Sequence, residues 1–266
     1  MTPKEVRIAL SEGLSSWLTF EHHAGREELF GERYLALPIG QILQRCMSGK
    51  VTGESNHPIL TTPGKTGRPP QLDFIVTDAT AKVVLAVESK WAAHAGVSVA
   101  DVLWDCIRLE LAADYYKCDA IFILAGTRKQ VDAVLKSRSF STKNSRLEPT
   151  YVLNLHGLGK HSVKINSFEG AYSVPLHKIL RTYPSVSWPS ELVCGSGTQV
   201  PKQASAGSYT AVVWHIAPAG NAKRRPFIAL SENKATERRK RVVDSIGIRL
   251  AAKRAAAKKL QQKSRE

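Results

Sequence analysis

The sequence predicts a mixed α/β fold, an α+β arrangement of helices on a mixed sheet, and three observations carry that expectation. The run Val83–Val87 is continuously apolar, which marks a strand buried on both faces. The segment Val99–Tyr116 has the strongest helical character in the chain. The order of elements is helix, loop, strand, strand, helix, strand, helix, strand, with no internal repeat, and such an order builds a sheet covered by helices.

Taken from the N-terminus, Thr2 can cap a helix, Pro3 fits its first turn and Glu5 completes a capping box. Val6, Leu10, Leu14, Trp17 and Leu18 then share one helical face. Helical character extends over 1–47, with a break expected at Leu37–Pro38. Residues 48–71 are rich in Gly, Pro, Thr and Ser and read as a loop; Lys50, Lys65 and Arg68 would let it meet phosphates. Leu72–Thr77 and Lys82–Ser89 are β-rich runs joined through Asp78–Ala81, which predicts a hairpin. After the helix at Val99–Tyr116 come a buried strand at Ala120–Ala125 and a helix at Arg128–Ser137. Strands are expected at Tyr151–Leu155 and Tyr209–Ile216, a short helix at Pro175–Arg181, and an exposed loop at Cys194–Ser208. Arg224 and Arg225, beside Lys223, form a second basic cluster. The stretch 231–266 favours helix by propensity but has few large apolar residues, so it is a solvated basic helix or a disordered arm that orders on a polyanion.

The 266 residues include 43% hydrophobic and 23% charged side chains, which excludes a wholly disordered chain and a fibrous repeat. No apolar run approaches the roughly 20 residues that span a bilayer, so no membrane partner is expected. Arg7 and Glu12 interrupt the N-terminal stretch, which therefore does not read as a secretory signal. The four cysteines, at 46, 106, 118 and 194, lack zinc-ligand spacing; free thiols in a reducing cytoplasm are the expectation. Lys and Arg number 38 against 23 Asp and Glu, a net charge of +15. From Ser231 onward 12 basic residues face 4 acidic ones, so the tail holds about half of the excess and the body is basic as well. Such a chain attracts polyanions, chiefly nucleic acid.

The chemistry concentrates on the hairpin. Asp73 opens its first strand and Glu88 ends its second, and antiparallel pairing brings those ends together. Residues i and i+2 of a strand share a face, so Glu88 and Lys90 project together toward Asp73. Two close carboxylates repel unless a cation sits between them. Oxygen ligands of this kind suit Mg²⁺ or Mn²⁺. The neighbouring ammonium of Lys90 can position or deprotonate a water; metal, water and amine together make a hydrolytic set for phosphodiesters.

Asp73, then Glu88-Ser89-Lys90, then helix 99–116 and strand 120–125 resemble the PD-(D/E)xK, or restriction-endonuclease-like, nuclease superfamily. One departure is that Gln71 and Leu72 separate the proline pair from Asp73. The resemblance implies an α-β-β-β-α-β core over about 1–137, with its first strand near Ile59–Thr62, an elaboration over 138–230 and the basic tail at 231–266. It implies a Mg²⁺-dependent DNA endonuclease, Mn²⁺ substituting, in which Asp73, Glu88 and the carbonyl of Ser89 hold the ion. Lys90 would orient the attacking water and stabilise the phosphate charge. RNA is the other polyanion the charge suits, and a homodimer is implied because two strands need two sites. A restriction-like or anti-phage role follows from the resemblance alone. A non-catalytic nucleic-acid-binding protein on a degenerate nuclease fold is the alternative.

Many members add a glutamate from the first helical region. The candidates are Glu21, Glu28 and Glu32, with Glu32 first and Glu28 second. On helix 99–116, Asp101, Asp105 and Arg108 share a narrow face. Arg108 could hold a phosphate and Asp105 could fix Lys90 or Arg108, or the two could simply form an i,i+3 salt bridge. Glu110 and Asp114 lie on the opposite face, and the sequence does not say which face meets the site.

Overall fold

The computed structural model describes residues 1–61, 68–92 and 99–135 continuously. Beyond them it describes 141–142, 150–151, 153, 161–164, 173–183, 185–189, 191–201, 207–217, 225–226, 244, 248 and 251–252.

Helix α1, Pro3–His23, begins with the expected capping box: Glu5 N–H donates to Thr2 Oγ1 and Thr2 N–H donates to the Glu5 carboxylate. It ends before Gly25, where φ is 70°, and a 3₁₀ turn at Glu27–Leu29 leads into α2, Glu32–Cys46. The expected break at Leu37–Pro38 is therefore corrected. The chain breaks between 24 and 31, and Pro38 lies inside α2. Its ring is buried beside Leu35, Ile39 and Leu43, and that packing offsets the lost backbone bond.

Strand β1, Lys50–Asn56, lies within the stretch read as loop, and it pairs antiparallel with β2, Gln71–Thr77. The first strand is thus at 50–56 and not at Ile59–Thr62. As a sheet edge it has no alternation of apolar residues to announce it, and most of it is exposed. β2 pairs antiparallel with β3, Val83–Trp91, as expected. The Asp78 carboxylate closes their turn by accepting from the N–H groups of Thr80 and Lys82, while Ala81 takes φ 62°. Helix α3, Val99–Tyr116, crosses over to β4, Asp119–Thr127, which runs parallel to β3. Helix α4, Arg128–Leu135, follows directly.

The second half adds β5 (Ser141–Thr142), β6 (Thr150–Tyr151), β7 (His161–Lys164), α5 (Ser173–Leu180), β8 (Ser187–Trp188), β9 (Glu191–Cys194), β10 (Thr198–Gln199), β11 (Tyr209–Ala217) and β12 (Arg225–Pro226). Cys194–Ser208 is thus not wholly loop. Of Tyr151–Leu155, only Tyr151 is seen in a strand, and most of that stretch lies outside the described residues, as does nearly all of 231–266. The main sheet runs β1-β2-β3-β4-β11-β9-β7, with β10 also on β11. It is mixed: β3 and β4 are parallel and the other pairs antiparallel.

One side of the sheet is closed by α1 and α2 over Leu10, Leu14, Leu18, Leu35, Ile39, Leu43, Val87 and Ile123. The other is closed by α3 over Ala86, Phe122, Leu124 and Trp214. Two serines also bond α1 to the sheet. Ser11 Oγ donates to the Ala211 carbonyl at 2.7 Å and accepts from Val200 N–H, and Ser15 Oγ accepts from Ala211 N–H at 3.0 Å. Among the described residues, no helix is long and apolar enough to cross a membrane.

Candidate active site

The apolar run of β3 ends at Val87, and the next residue, Glu88, is only 1% exposed. The regular β2–β3 register ends with Phe74 opposite Val87, one step short of Asp73 and Glu88. From there side chains replace the ladder: the Asp73 carboxylate accepts from Ser89 N–H and from Ser89 Oγ, both at 2.7 Å. Ser89, expected to offer its carbonyl to an ion, is seen to anchor Asp73 through its N–H and hydroxyl.

Helix α3 lays its Asp105–Arg108 face against this end of β3. Arg108 Nη2 lies 2.7 Å from Glu88 Oε1 and 2.9 Å from Asp105 Oδ1, and its Nη1 donates to the Gln71 carbonyl at 3.0 Å. Lys90 Nζ lies 2.8 Å from Glu32 Oε1 and 3.3 Å from Asp105 Oδ2. The ammonium thus joins the first turn of α2 to α3, across the end of the strand that carries it. Glu32, with its side chain 45% exposed, opens the cluster to solvent.

Four carboxyl groups, those of Glu32, Asp73, Glu88 and Asp105, gather beside two cations, Lys90 and Arg108, so acids outnumber bases in the cluster. Burial pushes the Glu88 carboxyl well above the usual carboxylate range, with Asp105 and Asp73 adding to the rise against the pull of Arg108. Asp105 is raised for the same first reason. Burial alone would lower Lys90, but Asp105, Glu32 and Glu88 outweigh it and its pKa is raised. The same holds for Arg108, where Glu88 is the strongest of the acids that raise it.

Of the expected site residues, Asp73, Glu88, Ser89, Lys90 and Glu32 are brought together. Glu28 is exposed on the 3₁₀ turn, and Glu21 is engaged elsewhere by Arg26 and Tyr34. Arg108 is only 11% exposed, with protein partners for both terminal nitrogens. Arg68 is exposed before β2; Lys65 and Arg224 lie outside the described residues, and of Arg225 only the backbone, in β12, is described.

Asp105, for which the sequence left open a hold on Lys90 or Arg108 and a plain i,i+3 salt bridge, contacts both cations. His57 was not anticipated at all. It is 2% exposed, donates from Nε2 to the Arg108 carbonyl at 3.0 Å and accepts at Nδ1 from Ile59 and Leu60 N–H. Burial holds its pKa down at about 4, so it is neutral and its tautomer is fixed by these bonds. A lone histidine in a Gly/Pro-rich stretch gives no pattern by which to find it.

Among the described residues, no three carboxylate, imidazole or thiol groups already converge as a coordination shell. The donor chemistry is nonetheless of the kind a hard divalent cation takes, since the acidic groups gathered here offer only oxygen. Glu88 Oε1 and Asp105 Oδ2 are buried without an aligned hydrogen bond, although each lies within ion-pair distance of a cation. Comparison with family models, with characterised proteins and with solved structures gives no match for this chain.

Proposed function

We propose that this chain is a Mg²⁺-dependent phosphodiesterase that cleaves DNA, on a restriction-endonuclease-like core. The observation that carries the reading is the meeting of Asp73, Glu88 and Lys90 with Glu32 at the end of β3. The order of helices, three strands, helix and strand through β4 supports it further.

Asp73 and Glu88, with the Ser89 carbonyl, would hold the ion; Mn²⁺ has the same oxygen preference. When bound, a divalent ion supplies charge stabilisation at a phosphoryl oxygen and acidifies a bound water. The chain's own groups do the positioning. Asp73 is aimed by the N–H and hydroxyl of Ser89. Lys90 is aimed by Glu32 and Asp105, and its raised pKa keeps it protonated at neutral pH. Its role is then to orient the nucleophile and stabilise the developing phosphate charge; it does not act as a base. The basic charge of the chain draws the polyanion to the site.

Plasmid DNA incubated with the purified protein in Mg²⁺ and in EDTA tests the reading. Cleavage is expected only with Mg²⁺ and is lost in Asp73→Ala and Lys90→Ala; undiminished cleavage by both variants removes these residues from the mechanism.

The position of Arg108 favours a second reading, a nucleic-acid-binding protein without catalysis, because a guanidinium already bridges two of the acids. That reading expects salt-sensitive retention of DNA or RNA without metal-dependent cleavage, abolished by deleting 231–266.

A further inference from the structure

Arg108 is clamped at both ends. Its carbonyl accepts from His57, and its guanidinium reaches Glu88, Asp105 and the Gln71 carbonyl. Despite these partners the fit is incomplete. Arg108 Nε, Glu88 Oε1 and Asp105 Oδ2 are all buried without an aligned hydrogen bond. A buried ion cluster built only for stability has its lone pairs and protons satisfied, because each one left over costs free energy in a low-dielectric interior. The cluster is also unbalanced, with four acids to two bases. Acids that outnumber the bases beside them, two of them sharing one guanidinium, leave oxygen coordination that a second cation could take up.

We infer that Arg108 is a positioning residue that stands in for a divalent cation, neutralising Glu88 and Asp105 when no ion is bound and competing with the ion for their oxygens. Arg108 thereby sets the cation affinity of the site. The inference rests on the metal-dependent reading above and concerns how that site is regulated. Removing the guanidinium leaves the carboxylates with their mutual repulsion, so the same change weakens the metal-free fold and strengthens cation binding. A salt bridge of purely structural purpose shares only the first effect.

The test is Mn²⁺ titration by calorimetry, with thermal unfolding in EDTA and in Mn²⁺, on the full chain and on Arg108→Gln, Asp73→Asn and the double variant. Arg108→Gln is expected to bind Mn²⁺ at least about tenfold more tightly than the unaltered chain, as the Coulomb contribution of one removed charge implies. Its unfolding midpoint should fall in EDTA and be largely restored by Mn²⁺, and the double variant should lose that restoration. If Arg108→Gln binds Mn²⁺ no more tightly while Asp73→Asn abolishes binding, the inference fails and the metal reading stands. If no protein binds millimolar Mn²⁺, both fail. If Arg108→Gln folds in neither condition, Arg108→Lys decides, since it keeps one charge but cannot bridge two carboxylates. Tighter Mn²⁺ binding by Arg108→Lys supports the inference, and unchanged binding overturns it.

Discussion

Two ion clusters lie on elements that meet near the same end of the molecule, and each contains a glutamate from the first helical region. Glu21 is held by Arg26, whose Nε and Nη2 donate to its two oxygens at 2.7 and 2.6 Å, and by the Tyr34 hydroxyl. That group is local in sequence, balanced in charge and satisfied at both carboxylate oxygens. The Glu32 cluster is assembled from α2, β2, β3 and α3, holds more acids than bases and leaves buried polar atoms without aligned hydrogen bonds. The first has what is needed to tie a helix end to the turn after it. The second keeps buried polar atoms without aligned hydrogen bonds, and that asymmetry is what the proposed function draws on.

The contrast can be broken at four places. The largest effect is expected at Lys90: on the proposed reading, in which its fixed charge is aimed at the reacting phosphate, Lys90→Met should lower DNA cleavage about 10³-fold while circular dichroism shows the fold intact. Cleavage within a factor of two of the unaltered protein would make Lys90 as structural as Arg26. Next comes Arg108→Ala, which leaves Glu88 without its ion-pair partner and Asp105 with Lys90 alone, and should cost about 3–5 kcal/mol in urea unfolding without metal. An unchanged midpoint would mean that solvent reaches the cluster.

The third effect concerns acid. The folded-state pKa of His57, about 4, lies below the ordinary 6.5, so the unfolded chain takes up a proton before the native one does. His57 therefore imposes no penalty above pH 6.5, and stability is lost as pH falls from 6.5 toward 4, by about 3 kcal/mol in all. Urea midpoints across that range should fall less steeply in His57→Gln, and parallel curves would reject the assignment. The smallest effect is expected at Arg26→Ala, whose partly exposed guanidinium should leave both cleavage and the urea midpoint nearly unchanged. A marked loss of cleavage there would place Glu21 in the functional group and erase the distinction.

Much of this was legible in the residues, and the gaps have physical causes. The hairpin, the long helix and the buried strand could be read because apolar runs and turn residues report burial directly, as at Val83–Val87 and Asp78–Ala81. Asp73 and Glu88 were expected close together because antiparallel pairing leaves little freedom at strand ends. Strand β1 was hidden because an exposed edge need not be apolar. Pro38 misled because tertiary packing overrode its local penalty. Asp105 and His57 acquire their roles only through the rotation of α3 and the path of the chain before β2, which no local pattern encodes.

The two serines of α1 have a consequence for Glu32. Apolar contacts alone would tolerate axial slippage of a helix over a sheet, since one leucine can replace another in a groove. Ser11 and Ser15, one turn apart, grip the carbonyl and the amide of a single residue, Ala211, and so index α1 to one position along β11. Because α2 packs on α1, that setting passes to the α2 terminus bearing Glu32. The reach of a carboxylate toward Lys90 is thus gauged in part by two hydroxyls on another helix.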